Sequence, residues 1–325
     1  MSTPGPSPFT FGIYASSQVG AFTGKPDDTD AMLVAIEELQ GPRPFIVREY
    51  IHFRGDVEAP IPSLAFPDTV YARPDILLDL VLCYLPPEEN IEGWLAFVRN
   101  AIDRYGHLVR FLQVTLEPNF NHPGIDGSSP GIRDALIHGM GEARRYLDDG
   151  HYGEVEIGFS VAEPQEWAGG DGDFWPDVAK RGGQTFINAL DYVGLGLYPD
   201  AFSPVAPPGA PGDLASLTTH ALDTLRNDSM AAAGIPATVP IHIAESGSPT
   251  GLDRSQAAQA SSLQTIVESV LDHRSRFNIS AFELFGLRDT DSENPDPFHQ
   301  FGIMTDTYTP KQAFETYRNL ITTSS

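Results

Sequence analysis

The sequence predicts an α/β protein, a (β/α)8 TIM barrel built as a single domain with elaborated loops after its strands. Three observations lead there. Short aliphatic runs alternate along the 325 residues with stretches patterned at helical spacing. The alternation reads as eight strands and eight helices, which suits a closed barrel better than an open doubly wound sheet. The first strand is followed by Tyr14-Ala15-Ser16-Ser17 where a dinucleotide fold would place a glycine-rich phosphate loop.

Taken in order, residues 1–8 form a proline-rich leader, expected to be disordered, and Phe9-Thr10-Phe11-Gly12-Ile13-Tyr14 is the first buried strand. A helix over 28–39 opens on Asp or Thr as cap. The second strand, 44–53, carries Arg48 and Glu49, and the third, 75–84, is nearly all aliphatic, as a strand covered on both faces should be. Ile91, Trp94, Leu95, Val98 and Ile102 give the helix over 90–105 its apolar stripe. Strand four follows from Val109 and a helix over 131–147. Strand five is expected over 155–162, a helix over 174–189, strand six over 192–198 and a helix over 214–233. Strand seven ends at Glu245, a helix covers 255–272, strand eight 279–287 and a closing helix 310–321. Proline and glycine collect after strands, at 124–131, 169–172, 204–212 and 294–297, as in elaborated loops on an active face; one domain over 1–325 needs no linker.

Composition excludes several classes. Forty-four acidic residues against 20 basic ones leave a formal charge of −24, which repels nucleic acid and anionic lipid surfaces alike. The single cysteine, Cys83, lies in an apolar run and reads as a buried, inert thiol; no disulfide within the chain is possible. No apolar stretch approaches the roughly 18 residues of a spanning helix, so no membrane partner is expected. The first residues contain neither a basic nor an apolar segment, which points to a cytoplasmic protein, or a secreted one from which a signal has been removed. Oligomeric state is not legible.

The chemistry gathers at two strand ends. In Val109 to Glu117, residues 109, 111, 113, 115 and 117 share one face, and Pro118 stops the ladder. Val239-Pro240-Ile241-His242-Ile243-Ala244-Glu245-Ser246-Gly247 has the same grammar, with Glu245 on the face of Ile241 and Ile243 and His242 directed toward the helices. C-terminal strand ends converge in such a barrel, so Glu117 and Glu245 are expected to face each other. A carboxyl pair of that kind suits glycosidic cleavage, one protonating the leaving oxygen and the other attacking the anomeric carbon.

At these residues the chain resembles the clan A glycoside hydrolases, the retaining barrel glycosidases. Glu117-Pro118-Asn119 is similar to the right-hand part of their Asn-Glu-Pro acid/base motif, and Ala244-Glu245-Ser246-Gly247 to their nucleophile motif. The resemblance implies that Tyr198, in Leu197-Tyr198-Pro199, bonds the nucleophile and that Arg48 holds its charge. Phe285-Gly286-Leu287-Arg288-Asp289 and the closing helix fit the end of that fold. Two departures stand out: Leu116 replaces the asparagine that grips a sugar 2-hydroxyl, and Leu284 or Phe285 stands where a tryptophan commonly floors the pocket. A lost donor in a dry site can cost on the order of 10²-fold in rate. The alternative is therefore a glycosidase-like barrel that binds a carbohydrate or glycosylated small molecule without hydrolysing it, or does other chemistry.

Supporting candidates are Asn119, Glu163 at the end of strand five, Trp167 and Trp175 as stacking faces, and His122 and His299 in the loops after strands four and eight. A structural role fits His242. No metal site is expected, because the nine histidines lack His-x-His or His-Glu-x-x-His spacing. Asp289-Thr290-Asp291-Ser292-Glu293 lacks the glycine and terminal glutamate of a calcium loop and reads as an acidic, solvated loop. Ser246-Gly247-Ser248 lacks a nucleophile elbow. No cofactor is implied, since two carboxyls and a water suffice for the reaction.

Overall fold

The computed structural model describes residues 9–17, 24–55, 71–150, 152–162, 170–201, 213–251 and 254–324. Eight strands close into a barrel in sequence order. They are β1 Thr10–Tyr14, β2 Phe45–Phe53, β3 Ile76–Tyr84, β4 Val109–Val114, β5 Glu156–Ala162, β6 Tyr192–Gly196, β7 Ile241–Ser246 and β8 Ile279–Phe285. The helices are α1 Thr29–Gln40, α2 Ile91–Tyr105, α3 Ile132–Asp149, α4 Phe174–Ala189, α5 Leu214–Asp223, α6 Gln256–Phe277 and α7 Gln312–Thr323. The seven helices that the sequence reading gives ranges for all have counterparts among the described residues; residues 56–70, between β2 and β3, lie outside these, as does the leader.

Local chemistry sets the helix ends. Asp28, Asn90 and Ser255 cap α1, α2 and α6, each side chain accepting from the backbone amide three residues on. Asn278 closes α6 in the left-handed region, where asparagine is tolerated better than most residues. The helix expected over 214–233 is interrupted: α5 runs into a π-helical stretch, Thr224–Ser229, before a last turn at Met230–Ala232. There Arg226 is buried and donates to the Val239 carbonyl at 3.0 Å, which ties the stretch to the approach to β7.

The chain packs as two compact units. One comprises Met1–Val47, Leu197–Asp223 and Ile243–Ser325. Within it β1 pairs with β8 from Thr10↔Ala281 to Tyr14↔Phe285. Phe11 and Phe282 set their rings against Tyr317 of α7, whose hydroxyl donates to the Gly12 carbonyl at 2.6 Å. Lys311 and Asp289 form a buried ion pair at 2.7 Å, and Arg288 binds Asp27 and the Lys25 carbonyl. The stretch after β8 is therefore only in part the solvated acidic loop expected from sequence: Asp289 is 1% exposed and Thr290 2%, whereas Asp291 and Ser292 are half-buried and Glu293 is exposed.

The other unit comprises Arg48–Gly196 and Thr224–His242. Its ladder runs β3-β4-β5-β6 in parallel, with a register shift between Leu78 and Asp79. Phe53, Tyr84, Trp94 and Phe97 pack into one aromatic cluster between strands and α2, and the Trp94 indole donates to the Ala135 carbonyl of α3 at 2.9 Å.

Removing one member of a buried ion pair strands the other. Lys311→Met should cost about 3–5 kcal/mol, read as a lowered urea midpoint at unchanged slope, whereas a surface pair such as Arg318–Glu315 should change stability by less than ~1 kcal/mol when broken.

Candidate active site

The β4 ladder ends at Val114, yet the backbone beyond it stays tied to its neighbours. Thr115 donates its amide to the Leu82 carbonyl of β3 at 3.0 Å and Glu117 donates to the Ser160 carbonyl of β5 at 3.1 Å. Thr115 and Glu117 both adopt positive φ, 70° and 48°, a region costly for any side chain and most so for a β-branched one. The strand alternation expected through Glu117 therefore stops at residue 114. The turn sets the Glu117 carboxylate, buried overall, against the backbone of Gly196 at the end of β6, where a Cβ would overlap Oε1. Glycine leaves room for the carboxylate in this position.

Four groups hold this segment. Asp126, the first residue of a 3-10 turn over Asp126–Ser128, is fully buried, and its Oδ2 accepts from the amides of Tyr84 at 2.7 Å and Leu116 at 2.8 Å. Burial pushes its carboxyl up to about 7 while those two amides pull the other way. Gln113 donates to the Thr115 carbonyl at 3.0 Å and the Ser160 hydroxyl at 2.8 Å. Its own oxygen accepts from Arg48 at 2.9 Å, and Arg48 also binds Asp79 at 2.5 Å and the Tyr50 hydroxyl at 2.7 Å. Arg48 thus belongs to a buried polar line running from β2 through β3 and β4 to β5. Asn119 uses both ends of its amide on Ala162, donating to the carbonyl at 3.0 Å and accepting from the amide at 2.9 Å, so it extends β5 as a strand residue would. His122 is exposed and stacks on Phe120.

Glu245 is held differently. Val193 donates to Pro240 at 3.0 Å and Leu197 to the Glu245 carbonyl at 2.8 Å, four residues apart on one strand and five on the other. A regular parallel ladder keeps these steps equal, so β7 contains one extra residue, the signature of a bulge. The bulge corrects the expectation for His242. Its ring stacks on Tyr192 at 4.0 Å and meets the edge of Phe111 at 5.0 Å. Phe111 belongs to β4, which does not neighbour β7, so His242 faces the barrel interior and not the helices. The ring is buried among these aromatic neighbours, and burial lowers its pKa to about 3, helped by Arg48 and Arg110.

Past the bulge, Glu245 accepts at Oε2 from the Tyr198 hydroxyl at 3.0 Å. Two residues on, Asp200 accepts from the Ser248 hydroxyl at 2.5 Å, and Arg254 binds both Asp200 and Ser248. Burial works against the Asp200 carboxylate, but the Ser248, Ser262 and Arg254 contacts outweigh it and hold its pKa below the ordinary value. This clamp fastens the loop after β6 to the loop after β7. Tyr198 also meets Phe301 edge-on at 6.0 Å, Phe301 meets Phe285 at 5.9 Å, and Phe285 stacks on Tyr14 at 5.0 Å. Phe285, one of the two positions where the resemblance expects tryptophan, is thus part of an aromatic row.

Of the remaining candidates, Glu163 and Trp167 lie outside the described residues. His299 ends a 3-10 turn, and its carbonyl accepts from the amides of Thr290 and Asp291, which shapes the β8 loop. Trp175 packs on Phe159 and Phe174. Among the described residues no group of three or more His, Cys, Asp or Glu side chains could hold a metal ion. Sequence patterning gave no sign of Asp126 or Asp200, and it put Gln113 on the face of Glu117 without giving it a role. Only the placement of Asp126-Gly127 in the loop after strand four and of Pro199-Asp200 just after strand six could have drawn attention to the two aspartates.

The buried Asp126 and His242 should shape stability with opposite signs. Asp126, raised to about 7, contributes stability that is present below its unfolded value near 3.8 and is lost as pH rises through 7. His242, lowered to about 3, contributes stability present above 6.5 and lost as pH falls toward 3. In urea titrations, His242→Phe should flatten the acid-side loss by up to ~1.4 kcal/mol per pH unit, and Asp126→Asn should flatten the loss on the neutral side.

No protein-family model matches the sequence, and comparison with curated proteins finds no match. Solved structures share the fold. A family 39 glycoside hydrolase from the gut symbiont Bacteroides cellulosilyticus WH2 aligns at 13% identity and TM-score 0.63 over 98% of this chain and 64% of its own. The β-glucuronidase of Bifidobacterium dentium, complexed with coumarin-3-O-glucuronide, aligns at 14% identity and TM-score 0.63 over 98% of this chain and 47% of its own. The β-glucosidase of Thermotoga maritima, in complex with noeuromycin, aligns at 11% identity and TM-score 0.66 over 100% of this chain and 99% of its own. The chain spans less than two thirds of the length of the first two. At these identities the likeness is one of fold: the chain has the (β/α)8 barrel found in these glycosidases.

Proposed function

We propose that this chain is a glycoside hydrolase that cleaves a β-glycosidic bond with retention, with residues 1–325 read as one catalytic domain, Glu117 as acid/base and Glu245 as nucleophile. The observation that carries the reading is the Tyr198 hydroxyl on Glu245 Oε2 at 3.0 Å, a donor fixed on a carboxylate at the C-terminal end of a barrel strand. Glu117, at the end of β4, supplies the second carboxyl that the chemistry needs. Glu117 gives its proton to the leaving oxygen as Glu245 attacks the anomeric carbon, so the glycosidic bond breaks and a glycosyl ester forms. Water, deprotonated by Glu117, then displaces Glu245 and restores both groups. The tyrosine keeps the Glu245 carboxylate oriented, and the Asp200–Ser248–Arg254 clamp keeps the tyrosine in place. Arg48 serves the acid's side of the reaction through Gln113 and Thr115. Carbohydrate is then the partner, and a β-glucuronide and a β-glucoside, the sugars named for the similar structures, are the first to try.

A second reading, a barrel that binds a glycoside without cleaving it, is favoured by Leu116. Its side chain has no donor for a sugar hydroxyl, and its backbone amide is already bonded to Asp126. Hydrolysis of aryl β-glycosides separates the two readings. Wild type should cleave at least one sugar, and Glu117→Ala and Glu245→Ala should each lose about 10³-fold or more. Binding by calorimetry without cleavage of any sugar would instead establish the second reading.

A further inference from the structure

Resting on that reading, we propose that Asp126 is the positioning residue of the acid/base: by holding the amide of Leu116 it fixes the backbone from which Glu117 delivers its proton. The carboxylate is fully buried, and a single oxygen receives amides from two places, Tyr84 at the end of β3 and Leu116 one residue before Glu117. Its other oxygen, Oδ1, is buried and has no hydrogen-bond partner among the described residues, where these two amides are its bonding. A group kept in that state at the cost of desolvation is ordering something.

What it orders is strained. Leu116 lies between two residues at positive φ, and such backbone persists only where surrounding contacts over-determine it. Leu82, Ser160 and Gln113 hold the flanking residues, while the amide of residue 116 itself is held by Asp126. The loop closes on itself to bring this about. Phe120 donates to the Glu117 carbonyl at 3.0 Å, the Phe120 backbone lies so close to Gly127 that a Cβ there would overlap it, and Asp126 stands next to Gly127. Residues 117–127 thus form a ring that returns to the acid from below, and Asp126 is its clasp. Because Leu116 has no polar side chain, that backbone bond is what anchors its position.

Leaving-group dependence tests the assignment, since protonation matters for a poor leaving group and little for one that departs unaided. Wild type, Glu117→Ala, Asp126→Ala and Asp126→Asn are compared on phenyl and 2,4-dinitrophenyl glycosides of the active sugar. Asp126→Ala should lose ~10²-fold in kcat on the phenyl glycoside with KM little changed, and only a few-fold on the dinitrophenyl one. Asp126→Asn, whose amide oxygen can still accept both amides, should recover most of the loss. If Asp126→Ala does not fold, Gly127→Ala, which pushes the clasp off the Phe120 backbone, should give the same selective loss. Equal losses on both substrates, or none, would overturn the positioning role while Glu117→Ala still showed its own leaving-group signature. A wild type inactive on every glycoside would overturn the hydrolase reading and this one with it.

Discussion

Burying the guanidinium of Arg48 obliges the strands around it to supply acceptors, and much of one unit is arranged to do so. Arg48 is 1% exposed, and a charge in that setting is tolerated only when its donors are met. Asp79 of β3 and Gln113 of β4 meet them, and Gln113 passes the order on to Ser160 of β5 and to the carbonyl of Thr115. Four consecutive strands are thereby held in fixed relation by side chains inside the barrel, in addition to their ladder. A hydrophobic filling would stabilise comparably without dictating direction.

The two glutamates are secured by different means. Around Glu117 the fixed points are mainly backbone amides and carbonyls of β3, β4 and β5, with Asp126 as the carboxylate among them. Around Glu245 they are side chains, the Tyr198 hydroxyl and behind it Asp200, Ser248 and Arg254. The second arrangement depends on an ionised Asp200, and the contacts that lower its pKa keep it so well into the acid range. Under the proposed roles, the proton donor is carried on a support made mainly of backbone groups, and the nucleophile on one built of side chains.

How far the sequence could be read follows from the range of each determinant. Strands and helices came from local patterning, and both glutamates from their position after apolar runs, because those signals reside within a dozen residues. The departures came from contacts distant in sequence. Asp289 reads as solvated until Lys311, 22 positions away, is found against it. Asp126 reads as an ordinary loop residue until the β3 end, 42 positions away, donates to it. Parity failed at Glu117 and His242 for another reason: alternation assumes an unbroken ladder, and a positive-φ turn in one strand and an extra residue in the other break it. Both breaks fall beside the residues proposed to react, where local rules are most often set aside.

The extra residue in β7 has a consequence for anyone redesigning this barrel. A procedure that rewards regular pairing would keep every residue and straighten the stretch between Pro240 and Glu245, and the strand would still be apolar, parallel and buried. Strict alternation would then put His242 and Glu245, three positions apart, on opposite faces, so that a ring that faces the barrel interior would keep its place only by turning Glu245 away from Tyr198. Irregularity at that point is therefore information: the barrel tolerates a flaw in its hydrogen-bond ladder because the flaw is what aims a carboxylate.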